Sequence, residues 1–419
     1  MNARPGRRYA WYIVGLLTAI NLFNYVDRMV IVTMKADLRI RFGFEDDQFG
    51  AFWLAFFVVH AVATFPLGWA SDRFDRRKII GFGVLTWSMA TLGSAYAWGF
   101  VSMLLLRGAV GIGEAAYGPP ANALLCEVFP EKKAAIVGIF NGGMFLGACI
   151  GLAGGGLLGF PHAFQAVAIP GLVLGTLVLG MRVPPERTVP VSRPRLSAML
   201  KDGLRSLRIP TLRWMLASGI LISFAAGGYV FWIVDFTVQY KNLTLEQAIP
   251  IYFVLVATAG ISGVVVAGVI ADRLARWRPS GRALTMGIGF LATTPFAVAV
   301  VFVHDPVPYF ILGWWLNFFI PWYNGPMAAV IDDVVDDADA GTAQATFVFF
   351  LHITGTGFGG YVLGVISRYY SLQYAFLLPA AALLGAAVCA FIASRHVAAD
   401  MAARAARAQR PEPPVALAG

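Results

Sequence analysis

The chain has 419 residues, of which 58% are hydrophobic and 13% charged, with a mean hydropathy of +0.69. Soluble proteins of ordinary composition carry about 25% charged residues, so the numbers exclude a soluble domain and point to a polytopic membrane protein. The net charge of +9 is gathered in particular connectors rather than interleaved with exposed aromatics, which reads as topology and affinity for a lipid surface, not as a nucleic-acid interface.

A bilayer crossing takes roughly 20 apolar residues. Apolar runs fall at about 10–34, 48–70, 79–98, 101–125, 134–159, 164–182, 212–238, 248–271, 283–303, 307–331, 342–366 and 372–394, which predicts twelve helices. The first follows Arg4, Arg7 and Arg8, but it is too long for a signal peptide and ends in charge without a small-residue cleavage site, so it reads as an uncleaved span. About 25 of the 32 Lys and Arg lie in the amino terminus, the tail and the connectors after even-numbered helices, which puts those segments and both termini in the cytoplasm. The expected location is the cell inner membrane. Cys126, Cys149 and Cys389 lie in or beside apolar spans without a pairing or metal-ligand pattern, so disulfides and a metal site are not expected.

The halves are separated by a basic, proline-rich stretch. Residues 1–182 form one six-helix unit and 211–394 a second, with a linker at 183–210 and a tail at 395–419. In the linker, Leu196, Met199, Leu200, Leu204 and Leu207 recur at helical spacing opposite Lys201, Arg205 and Arg208, which suggests a short helix on the inner membrane surface. Gly68-Trp69-Ala70-Ser71-Asp72-Arg73 and Gly268-Val269-Ile270-Ala271-Asp272-Arg273 close the second helix of each half. Such parallel repeats place a binding site at the interface between the halves.

Charges inside the spans are the main functional signal, because an ionisable group near the bilayer centre costs on the order of 2.5–3.5 kcal/mol even on insertion scales. Helix 1 carries Asn24, Asp27 and Arg28, with Asp27 about ten residues from an outer end expected at Asp37. Helix 4 carries Arg107 and Glu114, two turns apart on one face, with Gly108, Gly111 and Gly113 between and beside them. Each charge needs a partner from another helix. A buried carboxyl loses hydration, which favours its neutral form, while a nearby Arg favours the ion, so Asp27 is suited to switch its proton. Gly143, Gly147, Gly151 and Gly155 make a small-residue stripe for close packing on helix 5. His60 and His352 stand alone on apolar helices, where a satisfied core hydrogen bond is favoured over a proton relay. Trp314, Trp315, Asn317, Trp322, Tyr323 and Asn324 on helix 10, broken by Pro321 and Pro326, suggest cavity lining. Asp235, near the outer end of helix 7, reads as interface solvation. Asp72, Arg73, Arg76, Arg77 and Lys78 on one half, and Asp332, Asp333, Asp336, Asp337 and Asp339 on the other, suggest an inner gate whose loops meet when the molecule faces outward.

The hairpin Gly68 to Lys78, with Asp75 where a second Gly is usual, resembles the signature loop of the major facilitator superfamily. More narrowly, Asn24-Tyr25-Val26-Asp27-Arg28, the run Arg107 to Tyr117, and Gly341-Thr342-Ala343-Gln344-Ala345 look like the Spinster family. The resemblance covers roughly 10–394. It implies an all-α major facilitator fold of two pseudo-symmetric six-helix bundles and a proton-coupled secondary transporter with no cofactor beyond the proton gradient. It further implies that Asp27 and Glu114 titrate, tuned by Arg28 and Arg107, and that substrates are lysolipids or sphingoid phosphates. The expected contacts are Asn24, Arg28, Arg107, Tyr117, Trp322, Tyr323, Asn324 and His352. The anion:cation symporter family shares much of helices 1 and 4, so a carboxylate symporter is the alternative. Helix 5 lacks the proline of many antiporters, which leaves the direction of exchange open. An intramembrane enzyme is disfavoured because no paired catalytic motif appears, and a passive facilitator or sensor is the other class. The protein is expected to act as a monomer whose partners are the bilayer, protons and a small amphipathic or anionic substrate.

Overall fold

The computed structural model describes residues 6–71, 73–129, 131–182, 201, 203–336 and 339–408. Among them there are helices and no strands. The twelve long helices are α1 Arg7–Thr33, α2 Asp46–Ser71, α3 Arg76–Ser94, α4 Phe100–Val128, α5 Lys133–Leu158, α6 His162–Leu179, α7 Pro210–Tyr240, α8 Leu245–Ala275, α9 Gly281–Phe302, α10 Pro306–Phe319 with its continuation Asn324–Val334, α11 Ala340–Tyr369 and α12 Leu377–Ala408. Among the described residues, ten helices are long and apolar enough to cross a membrane. The other two crossings are α3, which opens with Arg76, Arg77 and Lys78, and α10, which Pro321 interrupts. Proline lacks the N–H that an α-helix needs, so the chain passes through a 3₁₀ turn at Ile320–Tyr323 before resuming.

Two boundaries differ from the sequence expectation. Helix α1 ends at Thr33, and a separate two-turn helix, Lys35–Phe42, follows Met34. Asp27 therefore lies under two turns from the end of α1, yet its carboxylate is fully buried, because the helices packed around it and not depth alone exclude water. Helix α12 does not stop near 394 but runs on to Ala408. Most of the linker expectation, with Leu196, Met199 and Leu200, and the tail beyond 408 lie outside the described residues. Of the linker's apolar face Leu204 is exposed, and Gly203 lies against Thr346 of α11.

Apolar surface alone does not hold helices together in lipid, so close backbone approach at small residues decides the packing. The α5 stripe lies on α1. A Cβ at Gly143, Gly147, Gly151 or Gly155 would stand 2.8, 2.2, 2.6 and 2.3 Å from the backbone oxygens of Thr18 and Leu22, of Val26, and from Thr33 Oγ1. Gly111 presses on Phe56 and His60 of α2, and Gly113 on Gly83 and Trp87 of α3. Helix α4 is thereby clamped between α2 and α3.

The halves meet on the face opposite the chain termini, here the far face. Arg368 at the end of α11 pairs with Glu45 and, at 2.7 Å, with Asp47 at the start of α2, and Ser367 donates to Asp46. Lys35 reaches Asp235 of α7 at 2.7 Å, and Trp53 Nε1 donates to Thr356 O at 3.1 Å. Gly50 approaches the Tyr361 backbone closely enough that a Cβ would sit 2.7 Å from its Cα. On the terminal, basic face each half carries its own clamp. Arg76 at the start of α3 holds Glu127 at the end of α4, and Arg282 of α9 holds Asp333 at the end of α10. Both contacts are 2.5 Å and both span 51 residues.

Gly147→Val is expected to force α5 off Leu22, lowering stability by about 2 kcal/mol, in line with overpacking costs. A clear drop in the detergent-solubilised melting temperature checks this, and Gly142→Val, where a Cβ meets open space, is the control.

Candidate functional site

The four intramembrane charges of the first half form two cross-helix pairs. Arg107 Nη2 of α4 lies 3.2 Å from Asp27 Oδ1 of α1 and 3.2 Å from Thr91 Oγ1 of α3. Thr91 donates in turn to Asp27 Oδ2 at 2.6 Å, so carboxylate, guanidinium and hydroxyl close a ring. The Arg107 guanidinium also faces the Phe164 ring of α6 at 5.3 Å. The second pair is Arg28 Nε with Glu114 Oε2 at 2.6 Å, with the guanidinium within 4.9 Å of the Tyr25 ring centre and 5.2 Å of that of Phe56. Asp27 and Glu114 side chains have no exposed surface, whereas Arg28 retains 15%. The Asp27–Arg107 pair is therefore sealed in the bundle, and the Arg28–Glu114 pair sits at its rim. Glu114 Oε1 and Arg107 Nε have no hydrogen-bond partner among the described residues.

On the inter-half side, α2 and α11 bring the two intramembrane histidines together. The rings of His60 and His352 are 5.4 Å apart and nearly perpendicular, with Phe57 against His352 at 5.3 Å. Neither Nδ1 has a hydrogen-bond partner among the described residues, so the expectation of a satisfied core bond fails on both. Arg28 lies within electrostatic reach of both rings. His352 also lines a cavity of about 190 Å³ in the basic-face half of the molecule, walled by Ala61, Phe65 and Trp69 of α2, Pro119 of α4, and Val348 and Phe349 of α11. The walls are mostly apolar.

Other predicted site residues lie elsewhere. Tyr117 is buried inside the first half, its hydroxyl donating to Leu17 O at 2.5 Å and its ring against Trp87. Asn24 is buried with its Nδ2 unpartnered. Trp322 packs inside the second half over Gly289 and among Phe318 and Phe319, while Tyr323 faces Phe290 and Asn324 is exposed. None of these five borders the cavity around His352. Of the gate residues, Asp72 is outside the described set. Arg73 lies over the Trp69 ring at 4.0 Å, Arg77 pairs with Asp75 at 3.0 Å, Asp336 with Arg407 at 3.1 Å, and Asp332 accepts from Gln344 at 2.7 Å. Each of these contacts stays within one half. Thr91, the histidine pairing and the Lys35–Asp235 contact escaped the sequence reading; a threonine in an apolar helix carries no signal until its neighbour is known.

The sequence profile of the Major Facilitator Superfamily matches residues 17–351. This chain belongs to that superfamily. It is 27% identical to an MFS-type efflux pump of Mycolicibacterium smegmatis (strain ATCC 700084 / mc(2)155) over 95% of this chain and 96% of the pump. It is 26% identical to spinster homolog 1 of Rattus norvegicus, over 86% of this chain and 74% of that one, and 24% identical to the sphingosine-1-phosphate transporter SPNS2 of Xenopus tropicalis, over 87% and 76%. The fold superposes with a TM-score of 0.82 on a bacterial homolog of the human lysosomal transporter Spinster in an inward-facing, unoccupied conformation, at 20% identity over 94% of this chain and 99% of that one. The chain described here is thus a multi-pass membrane transporter of the major facilitator superfamily, similar in sequence and in fold to Spinster proteins.

Breaking a buried pair from one side leaves an uncompensated charge, which costs about 3–5 kcal/mol. Asp27→Ala is therefore expected to destabilise the protein strongly, and Asp27→Ala combined with Arg107→Met to recover much of the loss. Thermal unfolding of the two variants in detergent measures the difference.

Proposed function

We propose that this protein is a proton-coupled carrier of an amphipathic anion of lysolipid type, working by alternating access across a cell inner membrane with the basic face in the cytoplasm. The observation that carries the reading is the Arg28–Glu114 pair at the rim of the first half, with one carboxylate oxygen unpartnered, and with Arg28 in electrostatic reach of His352, which lines the apolar cavity between the halves. A proton arriving on Glu114 neutralises it and releases Arg28, whose planar fork is suited to a phosphate or carboxylate. Loss of that proton restores the pair and expels the anion. Substrate and proton therefore favour each other's binding, and by linkage the coupling is reciprocal. The Asp27–Arg107–Thr91 ring is the second titrating element, one step deeper.

The apolar walls favour a substrate with a tail over the alternative, a small carboxylate. The name of one relative, a sphingosine-1-phosphate transporter, supports the same class. Charge clusters on the basic face supply the inner gate in this proposal. Arg73, Arg76 and Arg77 exchange their present partners for Asp332, Asp333 and Asp336 when the molecule faces outward. One chain holds the complete site, so a monomer suffices.

In proteoliposomes, Asp27→Asn and Glu114→Gln are each expected to abolish accumulation of a labelled lysophospholipid driven by a pH gradient while preserving counterflow. Accumulation at the parental rate by both variants overturns the proton assignment. A disulfide between cysteines at Glu45 and Arg368 is expected to stop transport by holding the far face shut, and reduction to restore it. Full activity of the oxidised variant would refute alternating access through that face.

A further inference from the structure

The far-face contact of Lys35 is more elaborate than a salt bridge. Its Nζ donates to Asp235 Oδ2 at 2.7 Å and to Phe231 O at 2.6 Å. It also stands 3.9 Å from the ring centres of both Phe231 and Trp232. Those two rings are nearly perpendicular, at 85°, with centroids 5.2 Å apart, so they form two walls of a box whose floor is the carboxylate and the carbonyl. Lys35 itself is 1% exposed. A cation over the faces of two aromatic rings with a carboxylate beneath is the chemistry by which proteins recognise alkylammonium groups.

Ownership of the parts is what matters. Phe231, Trp232 and Asp235 all belong to α7, in the second half, and Trp232 is fixed there by its Nε1 bond to Gly360 O of α11 at 2.7 Å. The cation comes from the first half, at the start of the short helix Lys35–Phe42 that follows α1. Two more first-half contacts cover the box: Trp53 against Phe231 at 4.6 Å, and Asp46 behind Trp232 at Gly364. Any motion that parts α1 and α2 from α7 and α11 on the far face withdraws Lys35 and leaves the box standing. The carboxylate then lacks its counter-charge, a state that favours capture of another cation.

We propose that Phe231, Trp232, Asp235 and the Phe231 carbonyl form an ammonium-recognition site for the substrate head group, occupied by Lys35 while the far face is closed and vacated when it opens. The chemical class is a primary or quaternary alkylammonium, so the carried anion would also bear an amine: a zwitterionic lysolipid or a sphingoid phosphate. This deepens the proposed function and rests on its lysolipid reading for the substrate, but the box itself is testable without transport. Lys35 acts as a tethered competitor, so that closure of the far face and release of the amine become one event.

The test uses the purified full chain and the probes methylammonium, choline and sodium chlorides. Lys35→Ala empties the box, and binding is read by isothermal titration. The parent is expected to bind choline and methylammonium weakly, and Lys35→Ala about tenfold more tightly, a gain that ring and carboxylate contacts of this kind can supply. Adding Asp235→Asn or Trp232→Leu to Lys35→Ala should return binding to the parental level. Lys35→Met serves as a second vacating variant if Lys35→Ala does not fold. Equal affinity in the parent and both Lys35 variants, or sodium binding as tightly as choline, overturns the proposal. Counterflow of lysophosphatidylcholine against lysophosphatidic acid separates the two readings. Exchange of both lipids with equal preference sinks the ammonium site alone, and exchange of neither sinks the lysolipid reading while leaving the binding result to stand.

Discussion

Everything in this molecule is arranged around the difficulty of keeping ions in an apolar medium. Two arginines and two carboxylates sit within the first bundle, and each is tolerated because a side chain of opposite charge on another helix is brought within hydrogen-bond reach. That reach is set by glycines. Gly111 and Gly113 seat α4 on α2 and α3, and the α5 stripe seats α5 on α1. Without those approaches the charges would face one another across a gap that water would have to fill. The small residues thus belong to the chemistry of the site as much as to its packing.

The two pairs differ in what they are free to do. Asp27 and Arg107 are closed in with Thr91 and Phe164, every strong contact internal to the first half. Arg28 and Glu114 lie at the edge, near two imidazoles contributed by opposite halves. A charge pair on the boundary between two bodies feels their relative motion, whereas one inside a body does not. The π-helical turn at Leu351–Thr356, which carries His352, adds local irregularity at the same boundary, a place where such turns gather at functional sites.

What could be read from the residues divides along the same line. The twelve spans, the glycine stripe of α5 and the need for partners at Asp27, Arg28, Arg107 and Glu114 follow from the cost of polarity in lipid, which acts on each helix separately. Facts that depend on which helix faces which were out of reach. His60 and His352 look solitary because nearly three hundred residues separate them. Tyr117 and Trp322 look like cavity residues because aromatic amphipathic side chains suit both a cavity and a tight core, and only the neighbouring helices decide. Lys35 carries no signal of its own in the sequence, until α7 is placed beside it. The early end of α1 hinges on Met34, which carries no breaker signal of the Gly or Pro kind.

The paired clamps on the basic face show where the two halves have diverged. Arg282 lies 206 residues after Arg76, and Asp333 lies 206 after Glu127, so α3 and α4 are echoed by α9 and α10 with no insertion between the clamp residues. The same offset carries Thr91 to Ala297, Arg107 to Gly313 and Glu114 to Ile320. The scaffold contacts were kept in both copies, while every ionisable or hydroxyl group of the charge cluster on α3 and α4 has an apolar or absent side chain as its counterpart. The duplicated architecture is symmetric in mechanics and lopsided in electrostatics. The charge cluster of α3 and α4 is therefore the property of one bundle, with no copy at the matching positions of the other.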